Sequence, residues 1–204
     1  MNGKEERFFE NLCAGMNQCR DAGGLLRQIM AGEQTAEAGY EEICRLEKEY
    51  RKQLPILHEK LEKAFSDRQR REAARQLTGN LAEMMREIQK ITQNLYIGYS
   101  EAPEAINIMA ELAACALLEL SRMTAYSRTI RTDYMKVEAR AQRVRNYEER
   151  GSRCFCEGMR ALLAQESRPV YVMEWKEMYE RTEKILDLAE ESTEFFQKLM
   201  QECV

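Results

Sequence analysis

The sequence has few of the residues that interrupt regular structure, and this scarcity narrows the fold class. It contains 3 prolines and 10 glycines among 204 residues. An all-β fold needs a turn about every ten residues, and turns depend on these two residue types. The strongest helix formers dominate instead, namely Leu, Ala, Glu, Arg, Lys, Gln and Met. The composition therefore predicts an all-α protein.

The chain also lacks a large excess of charge of either sign. Its 31 basic and 35 acidic side chains give a formal net charge of −4. Proteins that bind nucleic acid concentrate positive charge on one face, so this balance argues against a nucleic-acid partner. Apolar residues make up 44% and charged residues 32% of the chain, which is typical of a globular helical protein and not of a disordered one.

Long apolar runs are absent as well. The longest, Leu112–Leu118, is far shorter than the ~20 residues that span a bilayer, so direct membrane insertion is not expected. No apolar stretch follows Met1, and nothing there resembles a signal peptide. These features predict a cytoplasmic protein with reduced cysteines, and they leave peripheral docking at the inner face of a membrane open.

Apolar residues recur with the period of a helix through the first half of the chain. The clearest series has spacings of three and four and predicts a buried helical seam: Ala74, Leu77, Leu81, Met84, Ile88, Ile91 and Leu95. Two similar stripes precede it: Phe8, Leu12, Met16, Cys19 and Gly23, then Ile43, Leu46, Tyr50, Leu54, Leu57, Leu61 and Phe65. The pattern predicts three long helices over residues 4 to about 98, with Ser66-Asp67 capping the third.

The second half repeats this pattern at an offset of 101 residues. Shifting the clearest seam by that amount gives another helical stripe: Trp175, Met178, Thr182, Ile185, Ala189, Ser192 and Phe196. We therefore predict six long antiparallel helices in two tandem three-helix bundles, residues 1–98 and 99–204, forming one compact elongated domain.

The three prolines refine this prediction. Pro55 falls within the second helix and predicts either a kink or two collinear segments. Pro103 and Pro169 each open a new periodic segment, where a proline in the first helical turn costs little.

Four segments carry a resemblance to a known family. They are Arg7–Leu12, Arg45–Tyr50, Asn146–Gly151 and Val172–Asp187. With these segments in this order, nearly the whole chain resembles the PhoU-like family, in the branch that accompanies low-affinity, Pit-type phosphate permeases. The resemblance implies a duplicated three-helix bundle and a non-enzymatic accessory or regulatory protein of inorganic phosphate transport. The partner it implies is a membrane phosphate permease.

Many members of that family hold iron or other divalent metals with Glu-x-x-x-Asp pairs. Residues i and i+4 share one helical face, so two such pairs present four carboxylates to one site. By resemblance, the metal-ligand positions of the second half are Glu148, Glu183 and Asp187, with Ser152 in place of the fourth carboxylate. They would hold Fe, Zn, Ni or Mg weakly. The alternative is that they are ordinary charged residues beside a helix seam, and no cofactor is required.

The first half departs further from the family pattern. Glu47 is followed by Arg51, and Ala82 and Arg86 occupy the positions of the remaining ligands. We interpret these four residues as a degenerate former metal site. The hypothesis is that the guanidinium groups of Arg51 and Arg86 neutralise Glu47 and its neighbours in place of the metal.

No catalytic residue is predicted. His58 is the only histidine, and the sequence marks no nucleophile or orienting group for it. Cys154 and Cys156 do not form a metal pair, because side chains two positions apart on a helix point about 200° from each other.

Three functions are compatible with these patterns. The first is the accessory protein of a phosphate permease. The second is a metal-free helical scaffold or dimerisation module that forms a homodimer through an exposed apolar stripe. The third is a metal-dependent hydrolase that uses Glu148, Glu183 and Asp187.

Overall fold

The computed structural model describes residues 3–99, 101–128, 130–164 and 168–200, and these residues form six α-helices and no strand. The prediction of an all-α fold is confirmed. The helices are α1 (Gly3–Met30), α2 (Ala36–Ala64), α3 (Arg68–Tyr96), α4 (Glu104–Ala125), α5 (Ile130–Leu163) and α6 (Pro169–Met200), with a short 3₁₀ turn at Tyr126–Arg128.

Side-chain caps define two of the helix starts. Thr35 Oγ1 accepts a hydrogen bond from the backbone N–H of Ala38 at 3.3 Å. Asp67 Oδ2 accepts one from the N–H of Arg70 at 2.7 Å, as the sequence predicted for the start of α3. Each cap satisfies a backbone donor that has no partner within the first turn.

Proline marks the start of α4 and α6 but does not divide α2. Pro103 is the N-cap residue of α4 and Pro169 is the first residue of α6. Pro55 lies inside α2, which continues as one helix from Ala36 to Ala64. The alternative of two collinear segments is therefore wrong.

The predicted apolar stripes are the buried faces of the helices. All seven residues of the α6 stripe are buried, as are six of the seven in α3, where Leu95 is half-buried. In α2, Leu54 is the half-buried exception, and the whole α1 stripe is buried. One continuous hydrophobic core includes side chains from all six helices.

The helices pack in two triplets. In the first, α1, α2 and α3 contact one another, and in the second α4, α5 and α6 do the same. The triplets meet through two further contacts, α1 against α4 and α3 against α6. α2 and α5 therefore lie on opposite outer sides of the bundle.

The helices that join the triplets are those that the 101-residue offset makes equivalent. α1 and α4 cross antiparallel, with Asn17 bonded to Ser121 and Arg27 near Glu111. In the antiparallel crossing of α3 and α6, the ion pair between Glu83 and Lys184 joins residues that are 101 positions apart.

This arrangement is what two repeated units related by an approximate twofold axis would produce. It supports the predicted duplication. The domain boundary at residues 98–99 stays a prediction, because the core runs across both triplets. Among the described residues, no helix combines the length and apolar character that a bilayer-spanning segment needs.

Candidate functional site

The side chains predicted as metal ligands come from two adjacent helices of the second triplet. Glu148 and Ser152 belong to α5, and Glu183 and Asp187 belong to α6. Gly151 is buried between the two helices, where an added Cβ would lie 2.3 Å from Leu186 Cδ1. This glycine lets α5 and α6 approach closely beside the carboxylates.

Two of the three carboxylates converge on one hydroxyl group. Ser152 Oγ lies 3.2 Å from Glu148 Oε1 and 3.4 Å from Glu183 Oε1. Its single proton can be donated to one of these oxygens at a time. Asp187 follows Glu183 by one turn of α6 and is exposed.

Glu148, Glu183 and Asp187, here called the acidic cluster, form a group in which the ionised state of Glu183 and of Asp187 is disfavoured. Burial raises the pKa of Glu183 above its ordinary value, and repulsion from Asp187 and Glu148 adds to the effect, whereas the bond from Ser152 opposes it. Although Asp187 is exposed as a whole residue, partial desolvation of its carboxyl group and then repulsion from Glu148 also raise its pKa. Glu190, one turn further along α6, has a raised pKa for the same reasons.

Two basic side chains of α5 and α6 are paired with other carboxylates. Arg145 Nη2 lies 3.1 Å from Glu138 Oε1, and Lys184 pairs with Glu83 and Glu87 across the α3–α6 contact. The acidic cluster is therefore a local concentration of negative charge that an added cation or proton would relieve.

The residues interpreted from sequence as a degenerate metal site in the first half have a different electrostatic character. Glu47 is buried, and both Nε and Nη2 of Arg51 donate hydrogen bonds to its Oε1, the first at 2.9 Å. Arg86 pairs with Glu83 one turn earlier on α3, and Ala82 is half-buried. Arg51 thus supplies the positive charge beside Glu47, whereas the charge of Arg86 goes to Glu83.

The described residues contain no group of three or more His, Cys, Asp or Glu side chains arranged to hold a metal ion. Around Ser152 the structure brings together two carboxylates and a hydroxyl group, which is not the three-carboxylate set that the resemblance implied. Metal binding by Glu148, Glu183 and Asp187 stays a prediction.

His58 does not meet an activated nucleophile in the described structure. Its ring Nε2 lies 3.3 Å from Thr78 Oγ1. The Thr78 hydroxyl donates its own proton to the carbonyl oxygen of Arg75 at 3.0 Å, so it is not poised to transfer that proton to the imidazole. Cys154 is half-buried and Cys156 exposed, and both are free thiols.

Sequence reasoning missed several buried carboxylates at helix–helix contacts, among them Glu87 and Glu119. Glu87 of α3 contacts Arg181 and Lys184 of α6. Glu119 of α4 pairs with Arg140 of α5 at 2.7 Å and with Arg122 at 2.8 Å. Burial would raise the pKa of Glu119, but these arginines outweigh it and lower the pKa. The available signal was its position directly after the apolar run Leu112–Leu118.

The α5–α6 end of the bundle exposes an apolar surface. Leu163, Val170 and Met173 are 56%, 68% and 74% exposed. A cavity of about 290 Å³ lies beside them, between the start of α4, the end of α5 and the start of α6. Its lining includes Glu104, Glu157, Gly158, Tyr171 and Tyr179. We call Leu163, Val170 and Met173, together with the carboxylates Glu104 and Glu157, the apolar end.

Removing one carboxylate from the acidic cluster should stabilise the protein. The folded-state pKa of Glu183 is raised above 4.5, so the folded protein binds more protons than the unfolded chain just above that pH. Stability therefore falls as the pH rises through this window. We expect Glu183→Gln to raise the melting temperature at neutral pH and to lose this advantage below pH 4.5.

A matched control is Glu59→Gln, which removes a carboxylate that pairs with Lys63 on the surface of α2. This variant should show no gain at neutral pH. An equal rise in both variants would mean that net charge, and not the acidic cluster, limits stability.

No family model matches the chain, and none of the curated proteins compared with it shows significant similarity. What the fold and the site define is a six-helix bundle of two packed triplets with an acidic cluster in the second.

Proposed function

We propose that this chain is a non-enzymatic accessory protein of the PhoU-like kind. It would act in the cytoplasm by docking on a membrane permease for inorganic phosphate. The observation that carries the docking proposal is the apolar end, and the family resemblance of the four sequence segments supports the choice of partner.

The apolar end has the character of a protein-binding surface. Large apolar side chains are common singly on protein surfaces, but a group of them at one end of a molecule is typical of an interaction site. Three side chains more than half exposed lie at the adjoining ends of α5 and α6. They project from long helices whose apolar seams are packed in the core.

The charge beside these side chains suits the loops of a membrane protein. Glu104 and Glu157 are exposed and line the adjacent cavity. Cytoplasmic loops of membrane proteins carry an excess of Lys and Arg. An apolar surface flanked by carboxylates complements such a loop in both polarity and charge.

The acidic cluster supports a second, ion-dependent element of the proposal. Repulsion within the cluster contributes to the raised pKa of Glu183 and of Asp187, so a bound divalent cation would be stabilising there. Added Mg²⁺ or Fe²⁺ would then raise the melting temperature, and Glu183→Gln would reduce that rise.

A homodimeric scaffold is the second candidate, since the same apolar end could bury itself against another copy of the chain. The two functions predict different solution states. Light scattering that shows a dimer converted to monomer by Met173→Lys would favour the scaffold. A metal-dependent hydrolase is the third candidate, and release of phosphate from phosphoesters would be its direct sign.

The docking proposal predicts that Met173→Lys abolishes capture of a phosphate permease from detergent-solubilised native membranes. The added charge would face the basic loop and disrupt the apolar contact. Met135→Lys is the matched control, because Met135 is 76% exposed near the start of α5, far from the apolar end.

The permease should be identified by mass spectrometry of the captured proteins. Equal recovery with both variants, or capture of proteins other than a phosphate permease, contradicts the proposal. Circular dichroism of both variants confirms that a loss of capture is not a loss of folding.

A further inference from the structure

A shallow depression of about 500 Å³ lies on the outer face of α5, and guanidinium groups dominate its charge. Its lining is Arg143, Asn146, Tyr147, Glu149, Arg150 and Arg153. Asn146 and Glu148 are two positions apart on the helix, so the depression lies on the side of α5 roughly opposite the acidic cluster.

The equivalent surface of the first half contains a closed charge network. Residues 42, 45 and 49 correspond to 143, 146 and 150 through the 101-residue offset. Arg45 donates to Glu42 Oε2 at 2.8 Å and to Glu49 Oε1 at 2.7 Å. A central cation thus bridges two carboxylates at spacings of three and four residues.

In the second half the same positions carry the opposite charges, and the central charge is missing. Arg143 and Arg150 replace the two carboxylates, and neutral Asn146 replaces the bridging arginine. The Asn146 Oδ1 atom accepts a hydrogen bond from Gln142 Nε2 at 3.1 Å. The amide nitrogen is therefore available to donate into the depression.

The guanidinium groups here are less fully paired with carboxylates of the protein than others on α5. Arg140 and Arg145 form ion pairs at 2.7 and 3.1 Å. Arg143 forms a longer ion pair, at 3.6 Å, with Glu119 Oε2, an oxygen that also accepts a hydrogen bond from Arg140. Within the described part of the chain, no carboxylate lies within ion-pair distance of Arg150 or Arg153.

We propose that this depression binds a phosphate-type oxyanion, seated over Asn146 and bridging Arg143 and Arg150. Guanidinium groups bind such anions through paired N–H donors, and Arg153 adds a third cation at the edge. Tyr147 supplies a hydroxyl donor. The carboxylate of Glu149 also lines the depression and weakens the site by repulsion. The inference does not depend on the proposed permease partner.

Calorimetric titration of the full chain with inorganic phosphate tests this site. We expect saturable binding that weakens about tenfold in Arg150→Gln, since one charge-assisted hydrogen-bonding group is lost. Arg160→Gln is the matched control, because Arg160 is an exposed arginine of α5 outside the depression. Equal weakening in both variants, or absence of binding by the wild-type chain both here and in the vesicle assay described below, overturns the proposal.

A second variant supplies the missing central charge from the protein itself. Asn146→Glu places a carboxylate between Arg143 and Arg150, at the spacings found around Arg45. It should abolish phosphate binding and leave the melting temperature unchanged or higher. Phosphate binding that persists in a folded Asn146→Glu variant contradicts the inferred position of the anion.

The phosphate group could belong to a free ion or to a lipid. Cosedimentation with phosphatidylcholine vesicles, with and without phosphatidic acid, separates the two sources. Recruitment by phosphatidic acid that is lost in Arg150→Gln and kept in Arg160→Gln identifies a lipid headgroup. Binding of inorganic phosphate without recruitment identifies the free ion, and failure of both assays overturns the site.

Discussion

Replacement of Glu87 by alanine is expected to lower the free energy of unfolding by about 3 kcal/mol, because a buried ion pair loses one partner. The Glu87 side chain is 3% exposed. Its Oε2 accepts a hydrogen bond from Arg181 Nη1 at 2.5 Å, and its Oε1 accepts one from Lys184 Nζ at 3.2 Å. Removing the carboxylate takes away the α3 partner that Arg181 and Lys184 of α6 share at the contact between the triplets.

Thermal unfolding followed by circular dichroism would measure this loss. A decrease of 3 kcal/mol corresponds to a fall in melting temperature on the order of 10 °C for a chain of this size. Glu49→Ala is the control, because Glu49 forms an exposed pair with Arg45 and should matter little. A loss for Glu87→Ala no larger than that of the control would show that the buried network does not hold the triplets together.

The same network predicts a dependence on pH. Burial would raise the pKa of Glu87, but hydrogen bonds from Arg181 and Lys184 outweigh it and hold the pKa below the ordinary 4.5. A carboxylate with a lowered folded-state pKa stabilises the protein above 4.5, and this contribution is lost as the pH falls through the folded-state pKa. The difference between wild type and Glu87→Ala should therefore shrink in acid.

Substitution of Gly158 by alanine is expected to destabilise the protein by about 1–3 kcal/mol, although alanine is the better helix former. A Cβ at this position of α5 would lie 2.6–2.7 Å from Cε1, Oη and Cζ of Tyr179. Tyr179 is fully buried, and burial raises the pKa of its hydroxyl to about 12. Its ring also packs edge to face against Phe155, so moving it away from the added Cβ would disturb that contact.

Gly79→Ala gives the matched control for this prediction. Gly79 lies within α3, and no atom lies within 4 Å of the Cβ that alanine would add. Here the substitution should stabilise the protein by about 0.5–1 kcal/mol through helix propensity alone. Chemical denaturation of both variants should give shifts of opposite sign. Stabilisation by both would show that Tyr179 and α5 adjust without cost.

The acidic cluster was only partly accessible to sequence reasoning. The resemblance placed Glu148, Glu183 and Asp187 together, and the structure brings the first two to the same hydroxyl group. The resemblance could not supply the position of the Ser152 hydroxyl group between these two carboxylates. The hypothesis that Arg86 neutralises Glu47 and its neighbours required a contact between α3 and α2. In the structure, Arg86 pairs with Glu83 on its own helix.

The sequence by itself determined the helices, their buried faces and several of their ends. These features are local, since a helix buries residues three and four positions apart and is capped by side chains within one turn of its start. The seam from Trp175 to Phe196 and the cap at Asp67 could therefore be predicted from spacing alone.

Only the tertiary structure decided which charges are buried and at which glycines a neighbouring side chain occupies the place of a Cβ. It also decided which arginines of the described residues have no carboxylate partner. Glu83 and Lys184 are 101 positions apart, and no local pattern distinguishes Gly158 from Gly79. Such outcomes depend on where two helices cross. The crossing is set by packing of the whole core and not by the period of any one helix.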